Sequence, residues 1–247
     1  MENEGIEKLF FELASESRLS ILHELQRENS KMQEIARRLD VTATEAFRQL
    51  QRLSEALLVQ KQPEGTFAIT QYGRLVLQLS SSLDFVFKHK NYFSAHDVWR
   101  LPLQFVNRIG ELSQTNLITD TMESINKGER MFMEAEQYGW GLAEGVVPEL
   151  MGPIMNEKIR KGLKTRMLFL ESFLPTNAIP PAKLPNLENR TLSDIPAIIA
   201  LTEKEDAICF RPVEGRVDYA GFFGKDPIFL NWVKDLFLYY WDKGKRA

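Results

Sequence analysis

The chain of 247 residues carries 31 lysines and arginines against 34 aspartates and glutamates, a formal net charge of −3, with 44% hydrophobic and 26% charged residues. These proportions exclude wholesale disorder, and the near-balance of charge gives no general attraction for nucleic acid. A single cysteine, Cys209, excludes an intramolecular disulfide framework and a multi-cysteine zinc site.

No segment approaches the ~18 uncharged apolar residues of a membrane span. The acidic start, Met1-Glu2-Asn3-Glu4-Gly5, lacks the features of a signal peptide. The expectation is a soluble, cytoplasmic protein of one large or two modest domains.

In chain order, Leu9, Phe10 and Leu13 predict a short helix. Leu19, Leu22 and Leu25 predict a second, capped by Ser15 or Ser17. Met32, Ile35, Ala36 and Leu39 mark a third, closed at Asp40. A fourth opens at Thr42, with Ala46, Leu50, Leu53 and Leu57 on one face. Two short alternating runs, 58–62 and 66–70, flank Pro63-Glu64-Gly65 and predict a β-hairpin. Residues 71 to about 90 return to helical spacing through Leu75, Val76, Leu79, Leu83 and Val86. So apolar a stripe predicts burial, either on the domain's own core or in a dimer.

The change in character from Asn91 to Pro102 places a domain boundary near 90–95, giving domains 1–90 and 95–247. Beyond it, strands are expected at 115–119, 140–147 and 165–170, alternating with helices at 120–137 and 149–161. The proline-rich stretch 173–196 reads as an irregular connection. Strands at 197–201, 207–211 and 217–223 and an aromatic helix from 226 to about 243 follow. Strand–helix alternation predicts an α/β domain with a partly parallel sheet. The fold class expected overall is α+β and α/β.

The informative motif is helix, helix, turn, helix, two-stranded wing. Ala36 permits close helix crossing, Val41 pins the turn, and Thr42 or Asp40 caps the second helix of the pair. Opposite Leu50 and Leu53 the fourth helix carries Thr44, Glu45, Arg48, Gln49, Gln51 and Arg52, side chains able to reach a major groove. Arg48 and Gln49 are the candidates for base edges. Arg52, Lys31, Thr42 and Thr44 are candidates for phosphates, with Lys61 on the wing.

Charge supports this locally. Residues 31–61 hold Lys31, Arg37, Arg38, Arg48, Arg52 and Lys61 against Glu34, Asp40, Glu45 and Glu55. Few phosphate contacts per subunit then make a homodimer the expected binding form. The alternative is a winged-helix module that docks on proteins of the transcription machinery without reading sequence.

The stretch Phe11-Glu12-Leu13-Ala14-Ser15-Glu16-Ser17-Arg18-Leu19-Ser20-Ile21-Leu22, the helix-turn-helix and Gly65–Gly73 resemble winged helix-turn-helix regulators of the ArsR-like class. With Lys90–Asp97, Leu101-Pro102 and Arg108–Leu112, the chain is similar to an archaeal family in which that domain precedes an α/β regulatory domain. The founding member of that family regulates methanogenesis and filament formation. The resemblance implies a transcription regulator, usually dimeric, with double-stranded DNA as partner and a possible small-molecule effector.

The second domain gives less. Cys209, His23, His89 and His96 supply no ligand pair at helical spacing, so no metal is expected. The run Gly139-Trp140-Gly141-Leu142-Ala143-Glu144-Gly145 departs from a dinucleotide fingerprint at its third glycine. The approach to strand 165–170 resembles a degenerate phospholipase-D-like domain. That chemistry needs a His-x-Lys pair, but Leu25, Asn91 and Val98 stand two residues after the histidines. No enzyme and no cofactor are expected. Trp140, Glu144, Arg211 and Tyr219 are the candidate effector contacts.

Overall fold

A computed structural model describes residues 5–144, 151–173, 184 and 186–246. The chain divides into two compact units, Met1–Ser81 and Ser82–Ala247.

In the first unit, helix α1 (Ile6–Leu13) precedes α2 (Glu16–Arg27), whose N-cap Ser15 accepts from the Arg18 amide. A two-residue strand β1 (Ser30–Lys31) leads into α3 (Met32–Arg38). After a turn, α4 (Ala43–Glu55) starts at Thr42, whose hydroxyl accepts from the Glu45 amide at 3.1 Å. Thr42, not Asp40, is therefore the cap. Asp40 instead takes a positive φ of 51° within the turn, a conformation aspartate tolerates. The turn closes as the Val41 amide donates to the Ala36 carbonyl at 3.0 Å.

Strands β2 (Val59–Lys61) and β3 (Thr66–Ile69) form the wing, and β1 adds to the far side of β3 in an antiparallel sheet. The β1 strand is too short to leave a sequence pattern. Leu22, Leu25, Ile35, Leu50, Leu53 and Leu58 make the core of this unit. Leu57 departs from expectation: α4 ends before it, its φ is 59° and it is 69% exposed. Turning the chain into the wing at this point puts Leu58, not Leu57, in the core.

Helix α5 (Gln71–Lys88) begins under Thr70, which accepts from the Gly73 amide at 2.9 Å. A Cβ on Gly73 would lie 2.2 Å from the Leu58 carbonyl oxygen, so only glycine fits there. The expected stripe on α5 divides. Val76, Leu77 and Phe85 are buried, whereas Tyr72, Leu75, Leu79, Leu83 and Phe87 are exposed. The division between units falls at Ser81/Ser82, inside this helix, rather than near 90–95. The cause is that Phe85, Tyr92, Leu101 and Phe105 already belong to the aromatic core of the second unit.

That unit continues through α6 (Lys90–Ala95), β4 (His96–Asp97), α7 (Leu103–Val106) and a 3-10 turn at Ile109–Leu112. Next come β5 (Asn116–Ile118) and α8 (Thr121–Glu134), which Asp120 caps at the Glu123 amide. Strand β6 (Tyr138–Ala143), α9 (Met151–Arg160) and β7 (Lys164–Leu170) follow. The expected start of α9 and the end of the expected strand 140–147 lie outside the described residues. Gly162, at φ 114°, makes the turn from α9 to β7.

Residues 186–196, expected to be irregular, hold strand β8 (Leu187–Leu192). Strands β9 (Ala197–Thr202), β10 (Asp206–Pro212) and β11 (Gly221–Gly224) precede helix α10 (Pro227–Lys243) and β12 (Lys245–Arg246). The expected strand 217–223 is shortened to 221–224, because Tyr219 adopts a positive φ of 60°.

The sheet runs β12-β8-β7-β6-β9-β10-β11-β5, with β4 beside β10. Among the described strands β6–β7 and β7–β8 pair parallel and the other pairs are antiparallel. The mixed sheet with helices confirms an α+β winged-helix unit followed by an α/β unit. Helix α10 supplies Phe229, Trp232, Leu236 and Phe237 to the core, together with Leu142, Leu168, Ile199 and Phe210 of the sheet.

Candidate nucleic-acid interface

Helix α4 buries Ala46, Leu50 and Leu53 and turns Thr44, Phe47, Arg48, Gln51 and Glu55 outward. At 100° per residue these five fall on one side of the helix. Thr44 is exposed, and Lys31 and Lys61 stand exposed on β1 and the wing. Thr42 is exposed but its hydroxyl is engaged in the cap.

Gln49 is not on this face. It is 6% exposed, its side-chain oxygen accepts from Arg18 Nη1 at 3.0 Å, and its amide donates to Glu45. The expectation that Gln49 meets a base edge is therefore corrected: a buried guanidinium holds it inside.

Behind the face runs a continuous polar network that sequence reasoning missed. Arg18, 7% exposed, donates to the Glu12 carbonyl at 2.6 Å and the Phe11 carbonyl at 2.7 Å, and pairs with the Glu12 carboxylate at 3.1 Å. Glu12 also receives Arg52 through two bonds, at 2.6 and 3.2 Å. The Arg52 guanidinium lies 5.0 Å from the centre of the Phe11 ring. Glu45 bonds Arg48 at 2.6 Å, and the Gln49 and Arg48 bonds hold its carboxyl below the usual carboxylate range. Arg52 is thus a half-exposed cation already committed to Glu12. Arg48 is the more open one, its side chain 68% exposed and steered by a single carboxylate. The signal for this network was an arginine on the core-facing side of α2, a position that demands partners.

In the second unit, three of the four candidate effector residues come together. Glu144 and Arg211 form an ion pair, with Arg211 also donating to the Ile195 carbonyl at 3.1 Å. Burial and then the nearby Glu144 charge raise the Tyr219 phenol above its ordinary range. Trp140 shares none of these partners. It packs between Tyr138 and Phe237, under the Arg166 guanidinium at 4.9 Å, and its indole N–H is buried without a partner.

Cys209 is buried, donates to the Tyr219 carbonyl at 3.2 Å and has its thiol pushed up to about 12 by burial, which disfavours the reactive thiolate. Among the described residues no group of three or more His, Cys, Asp and Glu side chains could hold a metal ion. No helix of the described residues is long and apolar enough to cross a membrane.

The fold therefore defines a two-unit protein with a winged helix-turn-helix in front of a mixed sheet. Residues 6–86 match the family described as the HVO_A0261 N-terminal domain. No curated protein matches the chain. Among solved structures, one similar chain is TrmBL2, described as an archaeal chromatin protein with a novel mode of DNA binding. It has 16% identity and a TM-score of 0.47, over 94% of each chain. NucT from Helicobacter pylori is 10% identical, with a TM-score of 0.44, over 54% of this chain and 99% of that one. The phospholipase D family member Nuc from Salmonella typhimurium is 9% identical, with a TM-score of 0.37, over 50% and 90%.

Proposed function

We propose that the chain is a cytoplasmic, homodimeric transcription regulator of archaeal, ArsR-like type that reads double-stranded DNA in a sequence-specific way. The observation that carries this reading is the outward row Thr44, Arg48 and Gln51 on the second helix of a capped helix-turn-helix, flanked by a wing bearing Lys61. A polar, partly cationic helix face of this kind fits a major groove. Helix α4 enters the groove, Arg48 meets a base edge, and Lys31, Thr44 and Lys61 lie toward the backbone. Arg52, tied to Glu12, contributes less than its charge suggests.

The test is fluorescence anisotropy of the full chain on duplexes selected from a random pool, across a salt series. Affinity that falls steeply with salt supports the reading. Absence of duplex binding at low salt favours the protein-docking module instead. Arg48→Ala is expected to weaken the selected duplex by roughly 1–3 kcal/mol and to relax preference at one base pair. Unchanged affinity and preference would remove Arg48 from the base-reading role.

The homodimer rests on α5. Within the first unit Tyr72, Leu75 and Leu79 recur at helical spacing and are all exposed. A second copy is the occupant that fits a regulator whose single subunit makes few phosphate contacts, and two half-sites about 10 bp apart then follow. Leu79→Glu is expected to convert the dimer to monomer in light scattering and to roughly halve the slope of log affinity against log salt. A dimer of unchanged stability would move the interface elsewhere.

The second unit is proposed to sense a small molecule without catalysis. The Glu144–Arg211 pair beside Tyr219 is its candidate contact, and the missing His-x-Lys pair supports a non-enzymatic role.

A further inference from the structure

We propose that Phe47 reads the 5-methyl group of a thymine beside the base edge that Arg48 meets; this rests on the DNA-binding reading and sharpens it. Phe47 is 56% exposed in the second turn of α4, between Ala46 in the core and Arg48 in solvent. The apolar face of the helix is already complete without it, since Ala46, Leu50 and Leu53 are fully buried.

Phe11 is exposed too, but the guanidinium groups of Arg52 and Arg18 cover its ring at 5.0 and 5.9 Å. Among the described residues no cationic group lies over the Phe47 ring. Leaving a phenylalanine in water forgoes the stabilisation its burial would give, so its place on this face calls for a target.

The target's chemistry follows from the neighbours. A helix that docks on protein repeats apolar residues along the docking face, at three- and four-residue spacing. Here the surface positions around Phe47 are Ala43, Thr44, Arg48 and Gln51. One large apolar group beside a small alanine and three hydrogen-bonding side chains matches a surface that is itself polar except for isolated methyl groups. The major groove is such a surface, and the thymine 5-methyl is its apolar feature. Ala43 and Thr44 are small, so they leave the ring free to approach a groove floor. Phe47 also precedes Arg48 directly, within the N-terminal half of the helix, where base contacts concentrate in this docking geometry. Glu45, bonded to Arg48 at 2.6 Å, steers that guanidinium from the adjacent turn of the helix.

The experiment uses the full chain and the duplex it selects from a random pool. Each thymine is replaced in turn by deoxyuridine, which deletes the methyl group and keeps every hydrogen-bonding atom. Affinity is then read by anisotropy. At one thymine per half-site the replacement is expected to weaken wild-type binding about four-fold, the value of one buried methyl group. Phe47→Ala should bind the thymine and deoxyuridine duplexes equally, while Phe47→Leu should keep part of the preference.

Far-UV circular dichroism checks that the variants, changed only at the surface, remain folded. If a duplex is selected but deoxyuridine is neutral at every position, or if Phe47→Ala keeps the full discrimination, the assignment of Phe47 is overturned while DNA reading stands. If no duplex is selected, both are overturned.

Discussion

Replacing Arg18 by methionine is expected to destabilise the first unit by about 3 kcal/mol, the effect of removing one partner from a buried, hydrogen-bonded charge pair. The guanidinium is buried, and its removal would leave three oxygens without their donor: the Phe11 and Glu12 carbonyls and the Gln49 side-chain oxygen. Methionine fills a similar volume, so packing changes little and the loss is polar. All four tryptophans, Trp99, Trp140, Trp232 and Trp241, lie in the second unit. Denaturation followed by tryptophan fluorescence should therefore be little changed, while the far-UV helical signal shows an early transition belonging to residues 1–81. Coincident, wild-type transitions by both probes would show that the network is not needed. Gln49 freed from Arg18 would also release Glu45, so duplex affinity should fall further than the folded fraction alone explains.

That network shows where sequence reading reached its limit. Caps are local, and the helix starts under Ser15, Thr42, Thr70, Asp120 and Asp226 can be read from residues within three positions of each. The helix-turn-helix and its wing follow from such signals, because each needs only a few neighbouring residues. Gln49 lies at the border between the polar and apolar faces of α4. Its fate was decided by Arg18, 31 residues away in the chain, which no helical pattern of α4 contains.

Which side of α5 meets its own core was hidden for a related reason. That helix is apolar on more than one side, so spacing alone could not choose which side is buried. Val76 and Phe85 were chosen by cores that form later in the chain order or across it. Strand β8 was hidden because Leu187-Glu-Asn-Arg-Thr-Leu192 is largely polar, and only β12 with two residues lies outside it in the sheet. Such a near-edge strand does not need the apolar run expected of a buried parallel strand. Phe47 was legible in principle. Its position three residues after Thr44 and four before Gln51 puts it on the polar face, and an aromatic among polar residues was the available signal.

The polarity of the second unit leads to the other large expected effect. Asp206 is 1% exposed at the start of β10, where one oxygen accepts from the Thr202 amide at 3.0 Å. Glu203, three residues earlier, accepts from the amides of Glu136, Gln137 and Tyr138, and these bonds carry its carboxyl below the usual range despite burial. Asp206 has one amide where Glu203 has several. Burial therefore wins and raises it to about 8, against the opposing pull of the Thr202 amide and Lys234.

The folded chain thus keeps a proton at Asp206 that the unfolded chain releases above about pH 4. Between about pH 4 and pH 8 the folded state binds more protons, so stability falls as pH rises through this window and then levels. Asp206→Asn mimics the protonated group and keeps the acceptor for Thr202. It should match the wild type near pH 4 and exceed it by several kcal/mol at pH 9, where the wild type holds an anion in a buried site. Tryptophan fluorescence reads this unit directly in urea titrations at each pH. Parallel pH profiles for the two proteins would show that burial does not raise this carboxyl, and wild-type stability rising with pH relative to asparagine would show that it is held as an anion.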